Sequence, residues 1–199
     1  MVQSDGGRRS AKKRAAMLDA AQQLFLADGY ERTSIEAIAA GAKVSKRTVY
    51  DHFGDKELVY AEVVSRVSAD FFATVETAIE EELPDGCDLR AGLLAFVRRV
   101  AAGAFSSSDT ALRRLGGVWP RFPRSRGETG TTTKELVVHR FARFMADGAL
   151  APADPHRVVE HFTALTLLLA MDTLDPAAPD AELDAMLVDG VDAFLRAYT

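Results

Sequence analysis

Residues 33–53 read TSIEAIAAGAKVSKRTVYDHF, from Thr33 to Phe53, and hold two short helical patterns joined by a tight turn. Thr33 and Ser34 are both good N-cap residues, because a side-chain hydroxyl can accept from the unpaired N–H groups of a first turn. Glu36, three residues after Thr33, fits a capping box. Ile35, Ile38, Ala39 and Ala42 then fall on one face at helical spacing. Ser45 is placed to cap a second helix whose inner face is Thr48, Val49 and Phe53, with Val44 before it as a hydrophobic staple. The small residues Ala39 and Ala42 let the two helices cross closely. Lys46, Arg47, Tyr50, Asp51 and His52 remain outward on the second helix. Such a face suits phosphates and base edges better than plain solvent.

Working outward, the segment before this pair carries Met17-Leu18-Asp19-Ala20-Ala21, Leu24-Phe25 and Gly29-Tyr30, and the segment after it carries Lys56-Glu57-Leu58. Together with Thr33-Ser34-Ile35, Ile38-Ala39 and the run from Val44 to Phe53, residues 12–60 resemble the N-terminal DNA-binding domain of TetR/AcrR-family transcriptional regulators. The resemblance covers about a quarter of the chain and implies a three-helix helix-turn-helix domain followed by a long fourth helix. One position departs from the family pattern. Lys43 stands in the turn where the family most often has glycine, and Gly41 lies two residues earlier. A lysine in a left-handed turn costs roughly 1 kcal/mol.

The charge distribution points the same way. The net charge of −5 argues against nucleic acid when taken alone. Yet residues 1–56 hold ten Lys/Arg against seven Asp/Glu, whereas residues 57–199 hold fourteen against twenty-two. A basic head on an acidic body directs DNA to one end of the molecule. The N-terminus MVQSDGGRRSAKKRAAM has no apolar run after its basic residues, so it is not a secretory signal. The longest apolar run, around Leu165 to Met171, is too short to span a bilayer. Cytoplasmic residence without membrane contact is expected. The single cysteine, Cys87, excludes a disulfide within the chain and has no activating partner nearby in sequence.

The expected fold is all-α, with about nine helices. Residues 1–10 are expected to form a disordered basic arm, in which Arg8 and Arg9 could reach a minor groove or simply be solvated. Residues 11–56 are assigned to the helix-turn-helix domain and residues 57–199 to a C-terminal helical body for ligand binding and dimerisation. Within that body, helices are expected at about 55–82 from an Asp cap to Pro84, then at 89–106, 110–119, 131–148, 155–174 and 181–197. The breaks fall at Ser/Asp-rich and Pro-rich segments.

The last two helices are apolar on more than one side. Val158, Phe162, Leu165 and Leu169 make one stripe, and Leu183, Leu187, Val191 and Phe194 make another. A helix of this kind needs a partner beyond its own surface, which is either the subunit core or a second copy. The family resemblance implies the second copy, with the two helices pairing with their twofold mates into a four-helix bundle. One recognition helix reads few base pairs, and a symmetric dimer supplies two half-sites.

Roles within the reading helix divide by chemistry. Lys46 and Arg47 are the candidates for base edges, and Arg47 can bind guanine through two parallel hydrogen bonds. Thr48 could touch a thymine methyl or close the helix contact. Thr33, Ser45, Tyr50, His52 and Lys56 are candidates for phosphate, and Lys43 could add another such contact. For Tyr50 and Lys56 the family resemblance implies that role.

The resemblance also implies a small-molecule pocket in the C-terminal body. Phe71, Phe72, Phe96, Phe105, Trp119, Phe122, Phe141, Phe144 and Met145 could line it for a small apolar or amphipathic effector, and aromatic residues at helical spacing could equally be plain core. His139 and His161 could be further polar handles, or equally plain surface or core histidines. No cofactor is expected, and no metal set, phosphate loop or nucleophile–base pair suggests an enzyme. The expectation is a ligand-responsive repressor that binds a palindromic operator in double-stranded DNA as a homodimer. The alternatives are a regulator without an effector, or an activator.

Overall fold

The structure is a computed structural model that describes residues 4–104, 131–174 and 180–199. Helix α1 spans Ser4–Asp28, α2 Ile35–Gly41, α3 Lys46–Phe53, α4 Lys56–Glu82 and α5 Leu89–Ala104. Then come α6 at Thr133–Ala146 and α7 at Pro155–Thr163. A π-helical turn over Ala164–Leu168 carries α7 into α8, Leu169–Thr173, and α9 closes the chain at Asp180–Tyr198. There is no β-strand among the described residues, in keeping with the all-α expectation. No described helix is long and apolar enough to cross a membrane.

The described residues divide into two compact units, one ending at Ser68 and the other beginning at Ala69. The first is built on a core of Met17, Leu18, Phe25, Ile38, Val49 and Phe53, which α4 completes with Val59, Tyr60 and Val63. Phe25 and Tyr60 meet edge-to-face with ring centroids 5.1 Å apart. The second unit packs α5, α6, α7 and α9 around Phe96, Phe141, Phe144, Phe162 and Phe194. Burying each such side chain contributes roughly 1.5–3 kcal/mol. This is enough for short helices with modest intrinsic propensity to persist.

Helix boundaries follow local chemistry. Asp55 caps α4, its carboxylate accepting from the N–H of Leu58 at 2.8 Å, as the Asp cap in the sequence led us to expect. Helix α6 opens on a capping box between Thr132 and Glu135. Asp154 caps α7, with Pro155 at the first helical position. At the chain start, however, α1 is already helical from Ser4, where a disordered arm over residues 1–10 was expected. Residues 4–10 include Gly6 and Gly7, which are poor helix formers, so this segment continues a helix set by the Ala, Lys and Arg residues at 11–16. The expected helix at 110–119 lies outside the described residues.

Candidate functional site

Helices α2 and α3 form the candidate DNA-reading site. Ser34, rather than Thr33, is the N-cap of α2, and its side chain accepts from the N–H of Ala37 at 3.1 Å. The expected capping box therefore does not form, because Glu36 falls one position too early. Thr33 is instead buried at 3% exposure, and its hydroxyl donates to the Gly29 carbonyl at 2.8 Å. That placement takes Thr33 off the surface, and the hydroxyl is spent on closing the turn after α1.

The turn between the helices closes around Lys43, which adopts φ +55°. Its N–H donates to the Ala40 carbonyl at 3.1 Å, and the Val44 N–H donates to Ala39 at 2.9 Å. These two bonds make a Schellman closure, whose left-handed position usually holds glycine. Gly41 has a different use. A Cβ added there would lie 3.1 Å from the Ala20 Cβ, so Gly41 marks where α2 presses on α1.

Helix α3 presents the outer face. Ser45 caps it, accepting from the Thr48 N–H at 3.1 Å and sharing a 2.8 Å hydrogen bond with the Thr48 hydroxyl. Both hydroxyls are thus engaged in holding the helix start. Val49 and Phe53 are buried beneath, and Thr48 is half-buried beside them, as the inner-face assignment required.

The Arg47 side chain is 90% exposed and only loosely paired with Asp51 at 3.8 Å. Lys46 is held differently. Its ammonium donates to the Glu36 carboxylate on α2 and lies 5.7 Å from the centroid of the Tyr50 ring. The hydrogen bond from Lys46 holds the Glu36 carboxyl below the usual carboxylate range, and the same bond raises the Lys46 ammonium. Tyr50 is exposed and His52 is half-buried.

Lys56 is half-buried at the start of α4, where its ammonium donates to the carbonyls of Tyr30 at 2.9 Å and Thr33 at 3.2 Å. It also lies 4.2 Å from the Tyr30 ring centroid. Two of its three donors therefore brace the loop that enters α2. Sequence pattern alone missed this bracing role, and the missed partners are backbone carbonyls that leave no side-chain signature.

The second unit changes the reading of the other candidates. Phe72, Phe96, Phe141 and Phe144 are buried, whereas Phe71 and Met145 are half-buried. Phe141 packs against Phe162 at 5.3 Å and Phe194 at 5.9 Å between ring centroids, as interlocked core. Phe105, Trp119 and Phe122 lie outside the described residues. His139 and His161 are exposed, with His161 hydrogen-bonded to the Tyr198 hydroxyl.

Of the expected dimer stripe, Val158, Phe162, Leu187, Val191 and Phe194 are interior to their own subunit, none more than 2% exposed. They have no surface to offer a partner, because apolar periodicity marks a buried face without saying whose core covers it. Leu165 and Leu183 are half-buried. Leu169 is 47% exposed, and Leu168 beside it is 53% exposed. Ala164, Leu168, Leu169, Met171 and Asp172 line a shallow depression on that face.

A capped pair of short helices with a basic, exposed second helix defines a helix-turn-helix reading unit. Residues 17–63 match the family model of bacterial regulatory proteins of the tetR family. The chain is 33% identical over 105 residues to the HTH-type transcriptional regulator TcmR of Streptomyces glaucescens, covering 53% of this chain and 46% of that protein. The match thus spans about half the length of that relative. A protein from Mesorhizobium loti described as a TetR-family transcriptional regulator superposes with a TM-score of 0.80 at 27% identity, over 96% of this chain and 98% of its own. The Flavonoid-responsive Regulator FrrA superposes with a TM-score of 0.63 at 26% identity, over 95% of this chain and 98% of its own.

Residues 17–63 are thus a tetR-family DNA-binding domain, and the chain as a whole shares its fold with a TetR-family transcriptional regulator. Members of that family are DNA-binding dimeric transcription regulators, not enzymes.

Proposed function

We propose that this chain is a ligand-responsive repressor that binds a palindromic operator as a homodimer, with residues 11–56 as the reading domain and residues 57–199 as the regulatory and dimerisation body. The observation that carries the reading is the outer face of α3, where Arg47 stands 90% exposed beside Lys46 and Tyr50. Arg47 takes the base-edge role, since nothing but a long ion pair to Asp51 restrains it. Lys46 joins it after exchanging Glu36 for DNA. Tyr50, His52 and Lys43 grip phosphate, and Lys56 adds its third donor while bracing the loop. Ser45 and Thr48 contribute mainly by fixing the start of the helix.

The second copy docks on the face made by Ala164, Leu168 and Leu169. Two adjacent leucines about half exposed are a patch that a partner would cover. A small apolar or amphipathic effector then shifts the population toward dimers whose reading helices no longer match successive major grooves. The flavonoid-responsive relative supports an effector of this kind.

Selection of the purified chain against randomised duplex DNA tests the reading. An enriched inverted repeat is the expected result, because dimer symmetry imposes symmetry on the site. No enrichment at low salt would overturn it.

A further inference from the structure

Every residue from Gly7 to Lys13 in α1 is exposed, so about two turns of this helix carry no packed face. A helix polar on all sides persists through favourable side-chain pairs or through a partner that covers it. Here the pairs have the wrong sign. Arg8 and Lys12 stand four residues apart, as do Arg9 and Lys13, and like charges at that spacing destabilise a helix. Residues 6–18 hold five Lys/Arg and no Asp/Glu. Among the described residues, no carboxylate pairs with Arg8, Lys12 or Lys13. Cations elsewhere are held. Arg66 lies 2.7 Å from Asp19, Arg90 2.7 Å from Asp192 and Arg98 2.6 Å from Asp184.

Arg14 fixes where this arm leaves the head. Its Nη2 lies 2.6 Å from the Glu62 carboxylate on α4, and its Cζ lies 5.1 Å from the centroid of the Phe53 ring. Phe53 is the last residue of the reading helix α3. Arg8 is six residues before Arg14, so the free cations extend about 9 Å along the helix from that anchor. A cationic surface beside the end of a DNA-reading helix is complementary to phosphates of the same duplex. The helical form of the arm decides how it meets them. A helix with its side chains is about 10–12 Å across, whereas the minor groove is about 6 Å wide. The arm therefore lies against the backbone and not within the groove.

We propose that the helical arm carrying Arg8, Lys12 and Lys13 is a second DNA-binding site, which grips phosphates flanking the stretch read by α3 and reads no sequence itself. This rests on the DNA-reading assignment of α3.

The test uses the inverted repeat that the unmodified full chain enriches from randomised duplex DNA. That duplex is prepared in two lengths, trimmed to the repeat or carrying one further helical turn on each side. The variant combines Arg8→Gln, Lys12→Gln and Lys13→Gln, which removes charge at exposed positions and keeps good helix formers. Fluorescence anisotropy is read over a range of salt concentrations, and far-UV circular dichroism checks that the variant is folded. On the long duplex the variant is expected to lose at least about tenfold in affinity, and its salt slope should fall by about two to three per chain. On the trimmed duplex the two proteins should agree within about twofold, and both should enrich the same repeat.

Equal affinity and salt slope for the two proteins on the long duplex would overturn the proposal and leave the reading helix untouched. A loss of the same size on both lengths would also overturn it, because the cations would then act within the repeat. So would an A·T preference in the flanks that the variant loses, which would place the arm in the minor groove. If the unmodified chain enriches no repeat, the reading assignment itself fails and this site falls with it.

Discussion

Gly190 in α9 lies against the backbone of Leu165, so that a Cβ at position 190 would sit 2.2 Å from the Leu165 carbonyl oxygen. It would also sit 3.1 Å from Thr166 Cγ2. The contact falls within the π-helical turn Ala164–Leu168, where the regular backbone ladder is displaced. Thr166, fully buried there, donates its hydroxyl to the Phe162 carbonyl at 2.7 Å. The crossing of the last helices thus depends on a residue without a side chain meeting a locally widened turn.

Two effects compete in Gly190→Ala. Helix propensity favours alanine by about 1 kcal/mol. Overpacking opposes it by about 1–3 kcal/mol, and a clash with backbone is at the upper end because the carbonyl cannot rotate away as a side chain can. We expect net destabilisation of about 1–2 kcal/mol in urea denaturation. An unchanged or higher midpoint would mean that the helices are further apart than described.

Lys43→Gly should act with opposite signs on folding and on DNA binding. Removing the side chain at φ +55° relieves roughly 1 kcal/mol of left-handed strain, so the melting temperature should rise. Loss of a phosphate contact should weaken DNA binding for every sequence alike and reduce the salt slope by about one. A stabilised variant with unaltered DNA binding would confine Lys43 to the turn.

Lys56→Met removes a half-buried ammonium from the Tyr30 and Thr33 carbonyls. The loss of two charge-assisted hydrogen bonds should cost about 1–3 kcal/mol of stability, read as a lower denaturation midpoint. Should the variant melt like the unmodified chain, Lys56 does not brace the loop.

Glu36→Gln should release Lys46 and remove a negative charge beside the reading helix. We expect tighter binding to all duplexes and a steeper salt dependence, measured by fluorescence anisotropy. Acidification should imitate the substitution. Because the Glu36 pKa is lowered by its bond to Lys46, the pair persists above the ordinary carboxylate range and is lost as pH falls through the lowered value. Affinity that is insensitive to Glu36→Gln at every salt concentration would show that Lys46 does not exchange partners.

The parts of this molecule that were legible in its sequence are those decided locally. The caps at Ser45 and Asp55, the left-handed turn at Lys43 and the inward positions of Val49 and Phe53 all follow from residues within one or two turns. Relationships that join distant segments were not legible. Periodicity identified Val158, Phe162 and Phe194 as apolar faces, but the same pattern arises whether a helix covers its own core or a twin. Nothing near Arg140 in sequence foretells its hydrogen bond to Asp85, fifty-five residues away. The short range of side-chain signals also explains Thr33, where Ser34 took the cap and left its neighbour to the interior.

The central claim is that the exposed outer face of α3 reads base sequence through Arg47. Its most direct test is selection from randomised duplex DNA with the unmodified chain and with Arg47→Ala in parallel. The account predicts an inverted repeat for the unmodified chain. For Arg47→Ala it predicts the same spacing with preference lost at one base pair in each half-site, at a cost of about 1–3 kcal/mol per contact. An identical motif of equal strength from both proteins would contradict it.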